Sequence, residues 1–228
     1  MKIASTKPGR KDGGYTRLLG NLELGALISR LHSACISPGN ELEKLILAKS
    51  DLFLVRAVAE MESLLTNGEK FAKKTYLIPK KLVKKSTKFK SKHEPDFLIL
   101  KKATKTLYIT ELKDGDAFDT KKSAGEVEAL RRFEGEISRK ISFKTLIIIC
   151  CFNQTSKEKI IQGFKSKITP SEAFTGKEFC ELIGIDYQTI IQERIKDQKE
   201  NLRFFSQELL KIGELKKILG EIFQKEHN

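Results

Sequence analysis

The sequence predicts an α/β fold: a mixed β-sheet core flanked by helices, with a helical C-terminal part. Three observations predict it. Two extended apolar runs, 97–101 and 106–112, are separated by Lys102-Ala103-Thr104-Lys105, the spacing of an antiparallel hairpin. A segment opened by Thr120 or Asp119 carries Val127, Leu130, Phe133, Ile137 and Ile141 on one helical stripe, and it leads into 144–152 (KTLIIICCF). That β-branched run is of the kind buried on both faces of a sheet, so strand, helix and buried strand form a parallel crossover unit. From Ser171 onward, Ile190, Ile191, Ile195, Leu202, Phe205, Leu209, Ile212, Leu215 and Leu219 recur at helical spacing.

The other elements follow in chain order. Residues 7–20 (KPGRKDGGYTRLLG) are basic and Gly-rich, so 1–20 reads either as an arm that orders on a polyanion or as a flexible terminus. Asn40 caps a helical segment bearing Leu42, Leu45 and Ile46, and Asp51 precedes a second over 52–65. A short strand is expected at 75–78, then a basic loop or ribbon. No internal repeat and no linker composition appears. Residues 1–228 are therefore expected to form a single domain, with 186–228 as its helical C-terminal part.

Composition narrows the function. The chain has 228 residues, 43 Lys and Arg against 30 Asp and Glu, and a formal charge of +13, which points to a polyanionic partner such as nucleic acid. No apolar run reaches the length of a membrane helix, and the N-terminal residues hold no apolar core of a secretory signal. Four cysteines are too few for a disulfide scaffold and fit a reducing compartment, so a cytoplasmic protein is expected. The positive charge is clustered: 70–92 holds ten lysines and no acid. Lys80, Lys81, Lys84, Lys85, Lys88, Lys90 and Lys92 are the candidate DNA-binding residues; a solvated face is the alternative reading.

The chemistry lies just downstream. If 102–105 is the hairpin loop, Lys101 pairs with Thr106, and counting back sets Asp96 opposite Glu111. Opposed side chains in such a pair lie about 4.5–5.5 Å apart at Cβ. Lys113 shares their face, because strand side chains alternate with period two. Two adjacent carboxylates repel unless a cation stands between them. Hard oxygen ligands without His or Cys suit Mg²⁺, with Mn²⁺ as a substitute. Such an ion polarises a phosphodiester and acidifies bound water, and Lys113 would orient that water or neutralise developing charge.

Pro95-Asp96, followed after fourteen residues by Glu111-Leu112-Lys113, resembles the PD-(D/E)XK nuclease superfamily. The resemblance covers residues 94–152, about a quarter of the chain, and includes the hairpin, the next helix and the buried strand. It implies catalytic Asp96, Glu111 and Lys113, with the metal held by Asp96, Glu111 and the Leu112 backbone carbonyl. It also implies a further acid from an N-terminal helix, for which Glu41, Glu43, Glu60 and Glu62 are available. Gly39-Asn40-Glu41-Leu42-Glu43 is similar to the Gly-x-x-x-Glu helix start of some restriction enzymes, which favours Glu43. A basic chain of this size looks most like a type II restriction endonuclease, and 113–122 and 175–184 are in keeping with that. The resemblance then implies Mg²⁺-dependent hydrolysis of double-stranded DNA at a specific short sequence, a homodimer, and a cognate DNA methyltransferase as companion. The alternatives are a structure-selective repair or junction nuclease of the same superfamily and a non-catalytic basic nucleic-acid-binding protein.

Other signals are weaker. Asp114, Asp116 and Asp119 could hold a second ion, but they suit turn and helix caps better. His32-x-x-Cys35 has ligand spacing without a partner pair, and His93 precedes the acidic motif by two residues of loop. Tyr15, after Gly13-Gly14, could stack on a base. There is no Walker loop and no nucleophile elbow, so no nucleotide hydrolysis or serine chemistry is expected.

Overall fold

The computed structural model describes residues 2–10, 13–36, 38–50, 53–67, 73–115 and 120–226. They form two compact units: Leu42–Tyr187, which holds the sheet, and Met1–Glu41 with Gln188–Asn228, which is helical.

The sheet unit has five strands in the order β1 (Thr75–Pro79), β2 (Phe97–Lys101), β3 (Thr106–Lys113), β4 (Lys144–Cys151) and β5 (Ala173–Thr175). β1, β2 and β3 are antiparallel neighbours; β3, β4 and β5 run parallel. The sheet is therefore mixed, as the hairpin and the crossover predict. The crossover helix is α6 (Thr120–Ser138), the nineteen-residue element between β3 and β4. Asp119, the alternative start, lies outside the described residues, and Ile141 falls beyond the helix but still packs against the core.

One face of the sheet presents Tyr76, Ile78, Leu98, Leu100, Leu107, Ile109, Ile147, Ile149 and Cys151. It is covered by α4 (Val58–Thr66), α5 (Lys80–Lys85), α6 and α7 (Lys157–Gly163), through residues such as Met61, Val83, Phe133 and Ile160. The strand residues are spaced by two and those of α6 (Val127, Leu130, Phe133, Ile137) by three or four, so one apolar layer forms between them. On the opposite face the Phe97 and Phe179 rings lie 6.5 Å apart, and Phe179 belongs to α8 (Gly176–Ile183). A full capping box starts α8: Thr175 accepts from the Glu178 N–H and Glu178 from the Thr175 N–H. Gly176 sits where a Cβ would stand 2.3 Å from the Phe152 carbonyl oxygen, so no side chain fits there. Cys150 and Cys151 are buried in β4 as core residues.

Four local expectations are corrected. The helix expected over 52–65 begins at Val58; Val55 N–H instead donates to the Leu77 carbonyl at 2.9 Å and Leu77 N–H to the Phe53 carbonyl at 3.1 Å. This edge pairing with β1 captures a stretch whose apolar residues also suit a helix. Asp51 and Leu52 lie outside the described residues. In 80–92 the basic stretch opens with α5 rather than a loop, because Leu82 and Val83 are buried on the core side. The segment after Ser171, read as wholly helical, first contributes β5, too short for its pattern to register. The helix assigned a cap at Asn40 begins at Pro38.

In the helical unit, α1 (Gly14–Leu19) packs on α2 (Leu22–Ile36). Residues 2–10 are tied down there. Ile3 is buried, its N–H donates to Asn201 Oδ1 at 2.6 Å, and Arg30 donates to the Ala4 and Thr6 carbonyls at 2.8 and 2.9 Å. The described part of the supposed arm thus carries its own contacts; Lys11 and Asp12 lie outside the described residues. The C-terminal part is two helices, α9 (Tyr187–Lys211) and α10 (Gly213–Glu226). No helix among the described residues is long and apolar enough to cross a membrane.

Candidate active site

The site grows out of strand register. β2 and β3 pair with Phe97 opposite Thr110 and Lys101 opposite Thr106, the register counted from the sequence. One step past the last pair stand Asp96 and Glu111. β1 and β2 pair with Pro79 opposite Phe97, and Lys80 N–H donates to the Asp96 carbonyl at 3.0 Å. Lys80, Asp96 and Glu111 are therefore consecutive members of one cross-strand row at the end of the sheet. All three project to the face covered by α4–α7.

Asp96 is buried, and both its oxygens are engaged. Oδ1 pairs with Lys80 Nζ at 3.1 Å, and Oδ2 accepts from the Leu112 N–H at 2.9 Å. The second contact follows from strand alternation. The Lys113 carbonyl accepts from Phe152 N–H on the β4 side at 2.8 Å, so the Leu112 N–H and C=O point the other way. There β2 has ended and the Asp96 carboxylate stands in its place. The Leu112 carbonyl is thereby turned toward the same side as Asp96.

Glu111 and Lys113 lie two residues apart on one face, and Lys113 Nζ meets Glu111 Oε1 at 2.8 Å. The same ammonium meets Glu126 Oε1, from α6, also at 2.8 Å. Burial, then the Asp96 charge, holds the Glu111 carboxyl above its ordinary value, against the pull of Lys113. Burial works to lower the Lys113 pKa, but Glu111 and Glu126 together outweigh it and keep the ammonium above its usual range. Lys80 is raised in the same way: burial opposes, while Asp96, Glu111 and Glu43 prevail.

Glu43, on α3 (Pro38–Lys49), is half-buried. Burial first, then the Asp96 charge, raises its carboxyl, and Lys80 pulls it back. Among the acids weighed from the sequence, Glu43 thus feels the Asp96 charge. Glu60 accepts from Arg56 N–H at 3.1 Å, and Glu62 accepts from the Ser86 hydroxyl. Glu60 thus serves the start of its own helix, and Glu62 ties α4 to the end of α5. Glu41 belongs to the helical unit.

The basic stretch divides. Lys80 faces Asp96, whereas Lys81, Lys84, Lys85, Lys88, Lys90 and Lys92 are exposed. Lys90, Ser91, Lys92 and His93 line an open cleft of about 570 Å³ with Arg132 and Glu136 of α6. Asp114 receives the Asn153 side-chain amide; Asp116 and Asp119 lie outside the described residues. His32 Nδ1 is 2.8 Å from the Tyr15 hydroxyl, and Cys35 is an exposed free thiol. Among the described residues no group of three or more His, Cys, Asp and Glu side chains is placed to hold a metal. Two carboxylates and a carbonyl suit a hard divalent ion that keeps several waters.

Two members of this cluster are not placed in it by the sequence, which assigns Lys80 to the DNA-binding lysines. Lys80 would have emerged from counting the β1–β2 pairing as the β2–β3 pairing was counted. Glu126 carried one signal: it adjoins Val127, the first apolar residue of the α6 stripe, and so stands at the margin of the face that meets the sheet.

The mixed sheet thus carries Asp96, Glu111 and Lys113 together at the end of its central hairpin. Aligned over 229 residues, 98% of this chain and 100% of its relative, the sequence is 42% identical to the type II restriction enzyme HhaII of Haemophilus parahaemolyticus. The chain belongs to the type II restriction enzymes, which are site-specific deoxyribonucleases. No protein-family model matches the sequence, and no solved structure matches the fold.

Proposed function

We propose that this chain is a Mg²⁺-dependent type II restriction endonuclease of the PD-(D/E)XK superfamily, hydrolysing phosphodiester bonds of double-stranded DNA at a specific short sequence. The observation that carries the reading is the row of Asp96 and Glu111 with Lys113 on one face, in a relative of a restriction enzyme. Asp96, Glu111 and the Leu112 carbonyl would hold the divalent ion, with Glu43 the acid added from α3. When bound, the ion supplies Lewis acidity at the scissile phosphate and lowers the pKa of water. The chain's own residues do the rest. Leu112 N–H fixes the Asp96 carboxylate, Glu111 orients the Lys113 ammonium, and that ammonium offsets charge that develops on the phosphorus oxygens. The exposed lysines 81, 84, 85, 88, 90 and 92 would contact backbone phosphates and position the duplex.

Among the described residues there is one such centre per chain, and a double-strand break needs two. A homodimer on a two-fold symmetric target meets that need. The C-terminal helices are a reasonable meeting surface, since Leu202, Leu210 and Phe223 are 70%, 61% and 60% exposed. A sequence-specific nuclease acting on cellular DNA in the cytoplasm also calls for a cognate methyltransferase that protects host sites.

The deciding experiment is digestion of DNA of known sequence with Mg²⁺ and mapping of the ends. Discrete fragments with one common end sequence are expected. Cutting confined to branches or free ends would transfer the chain to repair nucleases, and no metal-dependent cutting would leave a binding protein.

A further inference from the structure

We infer that Glu126 is a positioning residue for this active site: it holds the Lys113 ammonium from the side opposite Glu111. The inference rests on the reading of Lys113 as the lysine of the site and adds a residue from outside the acidic motif. The observation is a fork. Lys113 Nζ stands 2.8 Å from Glu111 Oε1 and 2.8 Å from Glu126 Oε1, so two of its three N–H bonds are directed by two different elements.

The two anchors are built differently. Glu111 lies on the same strand as Lys113, so that contact alone lets both side chains swing together. Glu126 is carried by α6, and its neighbour Val127, with Leu130 and Phe133, is sunk in the core. The backbone under Glu126 is thus set against the sheet independently of β3. A lysine has four rotatable side-chain bonds and gives up considerable rotamer freedom when fixed. A second anchor from another element removes most of that freedom before substrate arrives, leaving the third N–H with one direction. Preorganised charge of this kind favours the transition state without reorganisation during the reaction.

Lys113 and Glu126 are also only partly exposed, with side-chain accessibilities of 28% and 34%. The pair is therefore less screened than an ordinary surface ion pair, whose worth is small. The fork does not need Glu126 to touch DNA or a metal. It predicts an effect on the rate of the chemical step and none on the affinity for the duplex.

The test is a pair of substitutions, Glu126→Gln and Glu126→Ala, measured by single-turnover cleavage of a target duplex with Mg²⁺ and by equilibrium binding of the same duplex in Ca²⁺. Glu126→Gln keeps the oxygen acceptor and the volume, which guards against a folding defect. Partners that orient an active-site group typically contribute about 10- to 100-fold. Glu126→Ala is expected to slow cleavage by that order, Glu126→Gln by less, and neither should weaken binding. A drop in affinity matching the drop in rate would overturn the inference, because Glu126 would then act on DNA or on the fold as a whole. Wild-type cleavage by Glu126→Ala beside an inactive Glu111→Ala would overturn it while leaving the site reading intact. Wild-type cleavage by both Glu126→Ala and Glu111→Ala would overturn the site reading itself.

Discussion

Replacing Asp96 separates the catalytic from the structural demands on one carboxylate. Asp96→Ala removes two interactions. The Lys80 ion pair is partly exposed, with the lysine side chain 38% accessible, so its removal costs at most about 1 kcal/mol. The Leu112 N–H is buried and is left without its acceptor at the point where β2 ends; stranding such a donor costs about 1–3 kcal/mol. Relief of repulsion works in the other direction, because the Asp96 charge opposes ionisation of both Glu111 and Glu43. The net expectation is a loss of about 1–2 kcal/mol. In a chain of this length that is a fall in thermal midpoint of roughly 2–8 °C. Asp96→Asn shares the loss of the Lys80 ion pair and the relief of repulsion, but its carbonyl oxygen still accepts from Leu112 N–H. It should stay within about 1 kcal/mol of wild-type stability.

Both variants are nevertheless expected to lose cleavage, because a neutral side chain supplies no anionic ligand for a divalent ion. Thermal unfolding in EDTA and plasmid digestion with Mg²⁺, on the same preparations, make the comparison. A stable and inactive Asp96→Asn beside a less stable and inactive Asp96→Ala is the expected pattern. Near wild-type cleavage by Asp96→Asn would refute the catalytic role. An Asp96→Ala more stable than Asp96→Asn would refute the assignment of the Leu112 amide as the main structural partner.

Three further outcomes follow. Glu111→Ala and Lys113→Ala should abolish cleavage but keep DNA binding; EDTA should stop the wild type, Mg²⁺ or Mn²⁺ should restore it, and Ca²⁺ should support binding with little cutting, all read from gel digestion and titration. Neutralising Lys81, Lys84 and Lys85 to Gln should weaken binding to all sequences alike and lower the log–log salt slope by roughly 0.9 for each phosphate no longer neutralised, and an unchanged slope would mean these lysines face solvent alone. Burial and Asp96 raise the Glu111 carboxyl above 4.5, so it binds its proton more tightly folded than unfolded. Its contribution to stability is full below that ordinary value and is lost as pH rises through the raised one. In EDTA, Glu111→Gln should therefore unfold at a higher temperature than wild type at neutral pH, with a gap that closes toward pH 4.5; a gap that widens in acid would contradict the sign.

Much of the site was legible because it is made of register. A two-residue period and one loop position placed Asp96 opposite Glu111 and Lys113 beside it, and these are local regularities that a single chain displays. The crossover was legible for the same reason: α6 and β4 carry long runs of unmistakable period. What escaped depended on tertiary context. Residues 53–55 pair with β1, and no local pattern states that an edge will be free to accept them. β5 is three residues long. Glu126 joins the site only because α6 lies over the end of β3, and Lys80 only because β1 pairs with β2 in a register its own sequence does not announce.

The charge distribution connects fold to function. The chain carries +13 overall, yet Glu43, Asp96, Glu111 and Glu126 set four carboxylates against the two ammoniums of Lys80 and Lys113. The exposed lysines of 81–92 would draw a duplex toward the protein, while a cluster with an excess of two negative charges would repel the phosphate that must enter it. A fold selected for stability alone would not keep Asp96 and Glu111 side by side under a helical layer. The conflict resolves if a divalent cation enters with the DNA: it satisfies the carboxylates and reverses the sign of the field that the scissile phosphate meets. Ion and duplex would then each raise the affinity for the other by the same factor, since coupling between two ligands is reciprocal. Burial and the Asp96 charge raise the Glu43 and Glu111 carboxyls in the metal-free protein, and a divalent cation bound beside them would lower both.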